Sequence, residues 1–265
     1  MNKALVNFIV KKYLRFDKKN PFISISAILA FIGVAIGVMV LILSMAIMNG
    51  TAKEFERKLF TMNYPLTIYP KTANSVNEEL LNKLTKEYPN LKFSPFVSTQ
   101  AIVQNGDNMS GGMICGVIPQ NEAEINPIYK EAIKDQLINK FDLITGIGIS
   151  DKLLLAYDSK VTLYFTELNP AGFSLMPKMK RFNYLSSFRS GLNAYDKAYM
   201  YTTIEALQTL LQKESNIYDG IHILSDDAFG DIEKLKVTLK DDGVGIVGWW
   251  QQNGNFFAAK KKKKT

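Results

Sequence analysis

The feature that most constrains this 265-residue chain is a stretch near its start that carries no charge. No charged residue occurs between Asn20 and Lys53, and the 27 residues from Phe22 to Met48 are almost wholly apolar. A bilayer core about 30 Å thick needs roughly 20 apolar residues in a helix that rises about 1.5 Å per residue. We therefore predict a membrane-spanning helix over residues 21–50.

A cleaved signal peptide is the main alternative, because it too is basic at first and apolar afterwards. Its apolar part is normally about 7 to 15 residues long and ends at a small-residue cleavage site. Here the apolar run is longer, and the sequence that follows it, MNGTAKEFERKLF, is typical of a helix that continues into water. We expect the helix to be retained as an anchor.

Charges on the two flanks predict the orientation of this helix. Six Lys or Arg residues precede it, whereas three follow in the first ten residues after Gly50, mixed with two Glu. Basic residues on short flanks favour the cytoplasmic side. We expect residues 1–20 to be a cytoplasmic leader, in which apolar residues at helical spacing favour an amphipathic helix, and residues 51–250 to be an exported domain. The six basic residues are Lys3, Lys11, Lys12, Arg15, Lys18 and Lys19.

The formal net charge of +7 does not indicate a nucleic-acid-binding protein. Eleven of the basic residues lie in the leader and in the run Lys260 to Lys264, and the sequence between them is close to neutral. A basic leader next to an apolar helix favours contact with anionic lipid over a surface that binds nucleic acid.

Beyond residue 50, short strands and helices alternate, and their order favours an α+β domain over a long βαβ series. Tyr64 to Tyr69 predicts a strand, Val76 to Tyr88 an amphipathic helix, and Phe93 to Gln104 with Met109 to Ile118 a pair of strands. The remaining predicted elements are helices at Ile128 to Ile138, Gly148 to Ala156, Thr203 to Gln212 and Asp227 to Leu239, and strands at Leu143 to Thr145, Lys160 to Glu167, Arg181 to Phe188, Ala198 to Tyr201, Gly220 to Leu224 and Gly245 to Trp249.

Residue types that carry chemistry are sparse. The single His222 and the single Cys115 both lie in apolar runs typical of strands. A catalytic triad or a zinc site needs more such residues, and no glycine-rich phosphate loop occurs. The acidic pairs at 226–227 and 241–242 are typical of helix caps and turns. We expect no catalytic site, no metal and no cofactor in this chain.

Two segments are candidate contact sites. In the apolar helix, Gly33 and Gly37 form a small-xxx-small pattern that lets another helix approach closely. In the exported part, the loop from Leu168 to Lys178 has an apolar tip framed by prolines, which favours a stiff protrusion. The candidate residues of this loop are Pro170, Phe173, Leu175, Met176 and Pro177.

Several short segments follow one another in a specific order and spacing. They are FIVKKYLR, GVAIGVMVLILSMAIMNG with FERKL, PLTIYP, SPFVSTQAIVQ with MICGVIP, GIGISDKL with YDSKVTLYF, KRFNYLSSFRSGLNAYDKAYMYTTIEALQTLL and WWQQNGNFFAA. Together they resemble the N-terminal portion of the lipoprotein-releasing (Lol) permeases, of the LolC/LolE type, in the MacB/FtsX-like superfamily of ABC transporter permeases. The resemblance implies one membrane span, a two-lobed α+β periplasmic domain (the MacB-like periplasmic core) and three further spans.

The resemblance also implies a function. It implies a permease subunit in the bacterial inner membrane that extracts lipoproteins and passes them to a periplasmic carrier. The implied partners are a separate cytoplasmic ABC ATPase subunit, a second permease copy or paralogue, the carrier and the lipoprotein cargo. The loop from Leu168 to Lys178 is similar to the hook that grips the carrier, and the span would help line the cavity for lipid chains.

The sequence departs from the family pattern at its end. Five Lys and one Thr stand where relatives continue into a second span, so we expect residues 251–265 to be the truncated start of that helix. Two alternative functions stay open from the sequence. One is an exporter or cell-division permease of the MacB or FtsX type, and the other is a single-pass anchored periplasmic binding or scaffold protein.

Overall fold

The computed structural model describes residues 3–13, 21–134, 136–165 and 178–252. The chain divides into two compact units, residues 1–57 and 58–265. The first unit contains helix α1 (Lys3–Tyr13) and most of helix α2 (Pro21–Met62). A proline at the start of α2 is favourable, because the first helical N–H has no intrahelical partner to lose.

Helix α2 carries the apolar stretch that the sequence singles out. Its segment Ile28–Thr51, 24 residues long and near the N-terminus, is long and apolar enough to cross a membrane by length and composition. Every described side chain of this segment is exposed in the chain. The helix continues past the apolar stretch to Met62, as the polar sequence after Gly50 predicts.

The second unit is built from nine strands and eight helices over its described residues. The strands are β1 (Leu66–Pro70), β2 (Lys92–Asn105), β3 (Asn108–Val117), β4 (Asp142–Gly146), β5 (Lys160–Phe165), β6 (Lys178–Phe188), β7 (Tyr199–Thr203), β8 (Gly220–Leu224) and β9 (Val244–Gly248). The helices are α3 (Glu78–Glu87), α4 (Pro119–Ile125), α5 (Pro127–Ile133), α6 (Ile147–Leu153), α7 (Asn193–Asp196), α8 (Ile204–Leu211), α9 (Ala228–Thr238) and α10 (Trp249–Gln252). The predicted fold class, an apolar helix followed by an α+β domain, is confirmed.

The nine strands form one sheet in the order β3-β7-β4-β6-β5-β2-β8-β1-β9, and β2 also pairs with β3. This additional pairing closes strands β2 to β7 into a ring, from which β8, β1 and β9 extend. Strand β2 serves both parts, because its residues 92–96 pair with β8 and its residues 101–104 pair with β5. The pairs β3–β7 and β4–β6 are parallel, and the other pairs are antiparallel.

Successive residues of a strand point to opposite faces of the sheet, and the two faces are packed differently. On β3, Ile114 joins a large aliphatic core, whereas the next residue, Cys115, joins a smaller cluster with Tyr201. On β8, Ile221 and Ile223 join the aliphatic core while His222 lies on the other face. We name the face with Ile114, Ile221 and Ile223 the aliphatic face, and the face with Cys115, Tyr201 and His222 the aromatic face.

The sequence prediction has no helix at α7, and it is wrong between β3 and β4. It placed one helix at Ile128 to Ile138, whereas the structure has two short helices, α4 and α5, each with a proline at its start. Helix α5 ends at Ile133 because Lys134 adopts a left-handed conformation with φ of 43°. The proline at each first position has no N–H to leave unpaired, which suits a helix start.

Candidate functional site

Of the two predicted contact sites, the structure describes the glycine pair in α2 but not the loop. The loop residues Pro170, Phe173, Leu175, Met176 and Pro177 lie outside the described residues. Gly33 and Gly37 lie in α2, and a Cβ atom built on either glycine meets no atom within 4 Å. A close helix contact at the two glycines therefore stays a prediction.

A buried polar cluster that the sequence did not predict lies on the aromatic face. Its centre is the carboxylate of Glu122 in α4, which is fully buried. The Tyr64 hydroxyl donates to Glu122 Oε1, Asn126 Nδ2 donates to the same oxygen at 2.9 Å, and Ser94 Oγ donates to Oε2 at 2.8 Å. We name these residues, with Tyr201, the Glu122 cluster.

Two further contacts tie the Glu122 cluster together. Asn126 Nδ2 lies 3.1 Å from the Tyr64 hydroxyl oxygen and 3.3 Å from that of Tyr201. Its side-chain oxygen accepts from the backbone N–H groups of Ile128 and Tyr129, both at 3.1 Å, and so caps α5. One amide group thus joins the start of α5 to Glu122 of α4, and its contact with Tyr201 links both helices to β7.

Burial dominates the electrostatics of the Glu122 cluster. Burial raises the pKa of Glu122, and the hydrogen bonds from Tyr64, Asn126 and Ser94 act against this rise. Burial also raises the pKa of Tyr64 and of Tyr201 well above the ordinary value, and the nearby Glu122 raises both further. Both phenols therefore stay protonated at neutral pH and can act as donors.

His222 packs against the Glu122 cluster through aromatic stacking. Its ring stacks on Tyr64 with a centroid distance of 3.6 Å and on Phe96 with a centroid distance of 4.0 Å. Burial lowers its pKa to about 3, so the imidazole is neutral at physiological pH. The sequence prediction that His222 is a strand residue is confirmed, since it lies in the middle of β8.

His222 also lines a cavity of about 250 Å³, which we name the aromatic cavity. Its wall includes Tyr64, Phe96, Met113, Tyr199, Tyr201 and His222. Strand pairing explains why these residues meet, because the sheet aligns them side by side. His222 pairs with Thr67 on β1 and Ser94 on β2, and Cys115 on β3 pairs with Ser98 on β2 and Tyr201 on β7.

Cys115 lies at the edge of the aromatic cavity and behaves as a small buried hydrophobe. Its side chain is buried, and burial raises the pKa of the thiol to about 12. A protonated thiol is a poor nucleophile and a poor metal ligand. The prediction of a buried structural cysteine is confirmed. Within the described ranges, no group of three or more His, Cys, Asp or Glu is arranged to hold a metal ion.

The apolar helix and the domain that follows it can be compared with known proteins. Over its described residues the chain has one helix of membrane-spanning length near the N-terminus, followed by a mixed α/β domain on a nine-stranded sheet. No protein-family model matches the chain. Individual relatives do match, and their names agree with the resemblance drawn from the sequence.

The chain is similar to transmembrane proteins of the lipoprotein-releasing system. It is 26% identical over 219 residues to LolC of Neisseria meningitidis serogroup B, which covers 81% of this chain and 53% of that protein. It is 28% identical over 234 residues to LolE of Haemophilus influenzae, which covers 84% of this chain and 55% of that protein. The predicted resemblance is confirmed, and the chain spans about half the length of the curated relatives it matches.

Solved structures of periplasmic and extracellular transporter domains also resemble the chain. The periplasmic region of MacB from Actinobacillus actinomycetemcomitans matches with a TM-score of 0.46 and 12% identity, over 74% of this chain and 92% of that one. The extracellular domain of the ABC-type transporter YknZ from Gram-positive bacteria matches with a TM-score of 0.47 and 11% identity, over 69% and 99% respectively.

Proposed function

We propose that this chain is part of a permease subunit in an ABC complex that extracts lipoproteins from the bacterial inner membrane and passes them to a periplasmic carrier. The observation that carries the proposal is the similarity to LolC and LolE over about four-fifths of the chain. In this proposal α2 crosses the inner membrane, residues 1–20 are cytoplasmic and the domain at residues 51–250 is periplasmic. A separate cytoplasmic ATPase subunit and a second permease complete the complex.

A physical argument supports the need for an ATPase partner. Removing lipid chains from a bilayer costs about 0.8 kcal/mol for each buried CH₂ group, so a lipoprotein with two or three chains does not leave spontaneously. The domain described above would serve as a lever and a docking surface while the ATPase supplies the free energy. Gly33 and Gly37 would contact a helix of the second permease within the membrane.

The carrier-binding loop gives the sharpest test of this proposal. We expect the full chain, solubilised with its ATPase and second permease, to retain the purified periplasmic lipoprotein carrier of the same bacterium. Changing Phe173, Leu175 and Met176 together to Ser should reduce retention at least about tenfold, because a few apolar anchors carry most of an interface's affinity.

A matched control separates this effect from a general loss of apolar surface. Leu137, Leu154 and Val237 are 93%, 77% and 77% exposed, and none of them lies in the loop. The triple change of these residues to Ser should leave carrier retention unchanged. If the unmodified complex does not retain the carrier, the proposal is wrong. If no ATPase co-purifies with the chain, an anchored scaffold protein is favoured instead.

Orientation needs its own experiment. A periplasm-dependent reporter such as alkaline phosphatase, fused after Gln252, should be active, and the same reporter fused after Asn20 should be inactive. The reverse pattern would contradict the proposed topology.

A further inference from the structure

The free edge of the sheet carries an inference about how two copies of this chain meet. Strand β9 is the last in the sheet order, and within the described ranges it pairs with β1 and with no other strand. An unpaired edge is a template for a further strand, and proteins usually protect it with Lys, Pro or a bulge. The sequence of β9, VGIVG, has no charged residue and no proline, and its register with β1 is unbroken. This edge therefore lacks the usual protection.

The hydrogen bonds at the two ends of β9 show which of its backbone groups point outwards. The Lys71 N–H donates to the Gly243 carbonyl at 3.0 Å, and the Trp249 N–H donates to the Pro65 carbonyl at 3.2 Å. In an antiparallel pair, every second residue bonds to the same neighbour. Positions 245 and 247 therefore bond to β1, and the three positions between and beside them direct their N–H and C=O groups to the free edge. The outward residues are Val244, Ile246 and Gly248.

The edge is complementary to itself. When two copies of β9 lie antiparallel with Ile246 opposite Ile246, each valine of one copy faces a glycine of the other. Val244 faces Gly248, and Val247 faces Gly245. A two-fold axis repeats each of these pairs, as in an interface between identical subunits.

The backbone groups of this arrangement pair without disturbing an existing contact. The two Ile246 residues exchange two N–H···O bonds, because both direct their backbone groups to the free edge. The Val244 N–H of each copy donates to the Gly248 carbonyl of the other. The Gly248 N–H already donates to Gln251 Oε1 at 3.0 Å, and it keeps this partner.

The neighbouring strand β1 adds a side-chain contact. The ring of Tyr69 leans across β9, because a Cβ atom on Gly245 would overlap it, and the Tyr69 side chain is 41% exposed. In the self-paired arrangement, Val247 of the other copy lies opposite Gly245 in a pair without hydrogen bonds, where side chains approach most closely. A β-branched residue beside an aromatic ring is a favourable cross-strand pair.

Helix α9 offers a second layer on the same side of the domain. It packs against β9, whereas α3 packs against β2 at the other side of this part of the sheet. Thr238 Oγ1 of α9 lies 2.6 Å from the hydroxyl oxygen of Tyr88, which follows α3. At about 100° per residue, the side of α9 opposite Thr238 carries Phe229, Glu233 and Lys236. All three are exposed, and this side of α9 faces away from α3, towards the free edge.

The charges on this side of α9 are also complementary to themselves. Glu233 and Lys236 form an ion pair at 2.7 Å one turn apart. Phe229, near the start of α9, stacks on Trp250 just beyond the end of β9 with a centroid distance of 4.1 Å. Helix α9 therefore runs antiparallel to β9, and its middle lies level with Ile246. A two-fold axis at Ile246 then brings Glu233 of each copy towards Lys236 of the other.

We propose that two copies of this chain associate through the free edge of β9, with Ile246 opposite Ile246 and the exposed sides of α9 next to each other. The sheet then continues from one copy into the other. This inference goes beyond the proposed function, which requires a second permease but names a contact with it only within the membrane. Because few residues take part, we expect the association to form when the copies are held close together in one membrane.

The first experiment tests the register by disulfide formation between full chains in membranes under mild oxidation. Ile246→Cys should form a disulfide-linked dimer, because the two Cα atoms would lie about 5.5 Å apart, which suits a disulfide. Val237→Cys is the matched control, since Val237 is 77% exposed but lies near the end of α9, away from the two-fold axis. We expect the Ile246→Cys dimer to form at least about tenfold faster than the control dimer. Cys115 is buried and can be kept.

The second experiment blocks the edge without changing the core. Val247 belongs to neither core cluster of the described residues. Val247→Lys places a charge on the edge strand, and in the Ile246→Cys chain it should slow dimer formation at least about tenfold. Val247→Thr keeps the branched shape and should leave the rate unchanged. Equal urea midpoints for the two variants, followed by tryptophan fluorescence, would show that the slowing comes from the edge and not from misfolding.

The third experiment tests the contact between the two α9 helices. Glu233→Lys gives this side of α9 two positive charges, and Lys236→Glu gives it two negative charges. Each variant also carries Ile246→Cys and its own affinity tag. In cells that make both, the mixed dimer should exceed its statistical share at least about twofold, because opposite charges then meet. A purely statistical share would overturn the assignment of α9 to the interface.

The outcomes separate this inference from the proposed function. If Ile246→Cys forms a dimer no faster than Val237→Cys while the complex still retains the carrier, the inference is overturned and the proposed function stands. If Ile246→Cys crosslinks to a different protein and not to itself, the edge does not bind a second copy and the inference is also overturned. Absence of carrier retention would count against the proposed function, whatever the crosslinks show.

Discussion

The two faces of the sheet depend on different chemistry. The aliphatic face is filled by side chains such as Leu163, Phe182 and Ile223, which have no polar atoms to satisfy. The aromatic face holds Glu122 and His222, and burial disfavours the charged form of both side chains. Hydrogen bonds to Glu122 and stacking on His222 offset the cost of burying them. The first face should give stability that is independent of pH, and the second should couple stability to pH.

The largest expected effect lies on the aliphatic face. Phe182 is fully buried and packs edge-on against Phe141 with a centroid distance of 5.5 Å. Phe182→Ala should lower the free energy of unfolding by about 4 kcal/mol, because it removes apolar contacts and leaves a cavity. Urea unfolding followed by the fluorescence of Trp249 and Trp250 measures this loss. A loss that changed with pH would contradict the proposed difference between the faces.

The next largest effect is expected at Glu122. Glu122→Ala should cost about 3 kcal/mol, because it leaves the polar groups of Tyr64, Ser94 and Asn126 without their partner. Glu122→Gln keeps the shape and most of the hydrogen bonds and should cost far less at pH 7. Equal losses for the two variants in urea unfolding would show that the carboxylate charge is essential.

Glu122→Gln should also change the pH dependence of stability. The folded pKa of Glu122 is raised above its ordinary value of 4.5, so ionisation favours unfolding. Its contribution is fully present below pH 4.5 and is lost as the pH rises through the folded pKa. The difference between wild type and Glu122→Gln should therefore shift in favour of Gln as the pH rises from 4 to 8.

At His222 we expect an effect of intermediate size, with a pH dependence of stability opposite to that of Glu122. Its folded pKa of about 3 lies below its ordinary value of 6.5, so protonation favours unfolding. The contribution is present above pH 6.5 and is lost as the pH falls towards 3, by about 1 to 2 kcal/mol between pH 7 and pH 5. His222→Phe should remove this loss in urea unfolding at the two pH values. An unchanged slope would show that His222 is accessible to solvent protons in the folded state.

The smallest effect is expected at the edge of the aromatic face. Tyr64→Phe removes the hydroxyl group that donates to Glu122 but keeps the ring that stacks on His222. We expect a loss of about 1 kcal/mol, whereas Tyr157→Phe at an exposed tyrosine should change nothing measurable. A loss at Tyr64 as large as that of Glu122→Ala would mean that the hydroxyl, rather than the set of donors, holds the carboxylate.

Much of the fold is predictable from local patterns. Gly220 to Leu224 has the same bounds in the prediction and in the structure, and Asp227 caps α9 by accepting from the N–H of Gly230, as the acidic pair predicts. These features depend on neighbours within a few residues, such as alternating apolar side chains and short polar caps. Helix α4 was missed because its signal, a proline at the first helical position, also fits a loop, whereas α5 was predicted to end at Ile138 instead of Ile133.

The candidate site was not predictable in the same way. His222 and Cys115 were interpreted correctly as strand residues. Nothing in the sequence indicates that Tyr64 and Asn126 donate hydrogen bonds to the Glu122 carboxylate. Tyr64 and Glu122 are separated by 58 residues, and Asn126 and Tyr201 by 75. A single sequence does not encode such pairings in any local pattern.

The sequence by itself determined the apolar helix, most of the order of strands and helices, and the resemblance to lipoprotein-releasing permeases, because each is expressed in the type and spacing of adjacent residues. Only the tertiary structure decided that β2 joins a ring of strands to an extension and that the aromatic face holds the buried Glu122 near His222, whose Nδ1 has no hydrogen-bond partner within the described part of the chain. The physical reason is that strand register aligns residues far apart in the chain, and burial then sets their charge and hydrogen bonding.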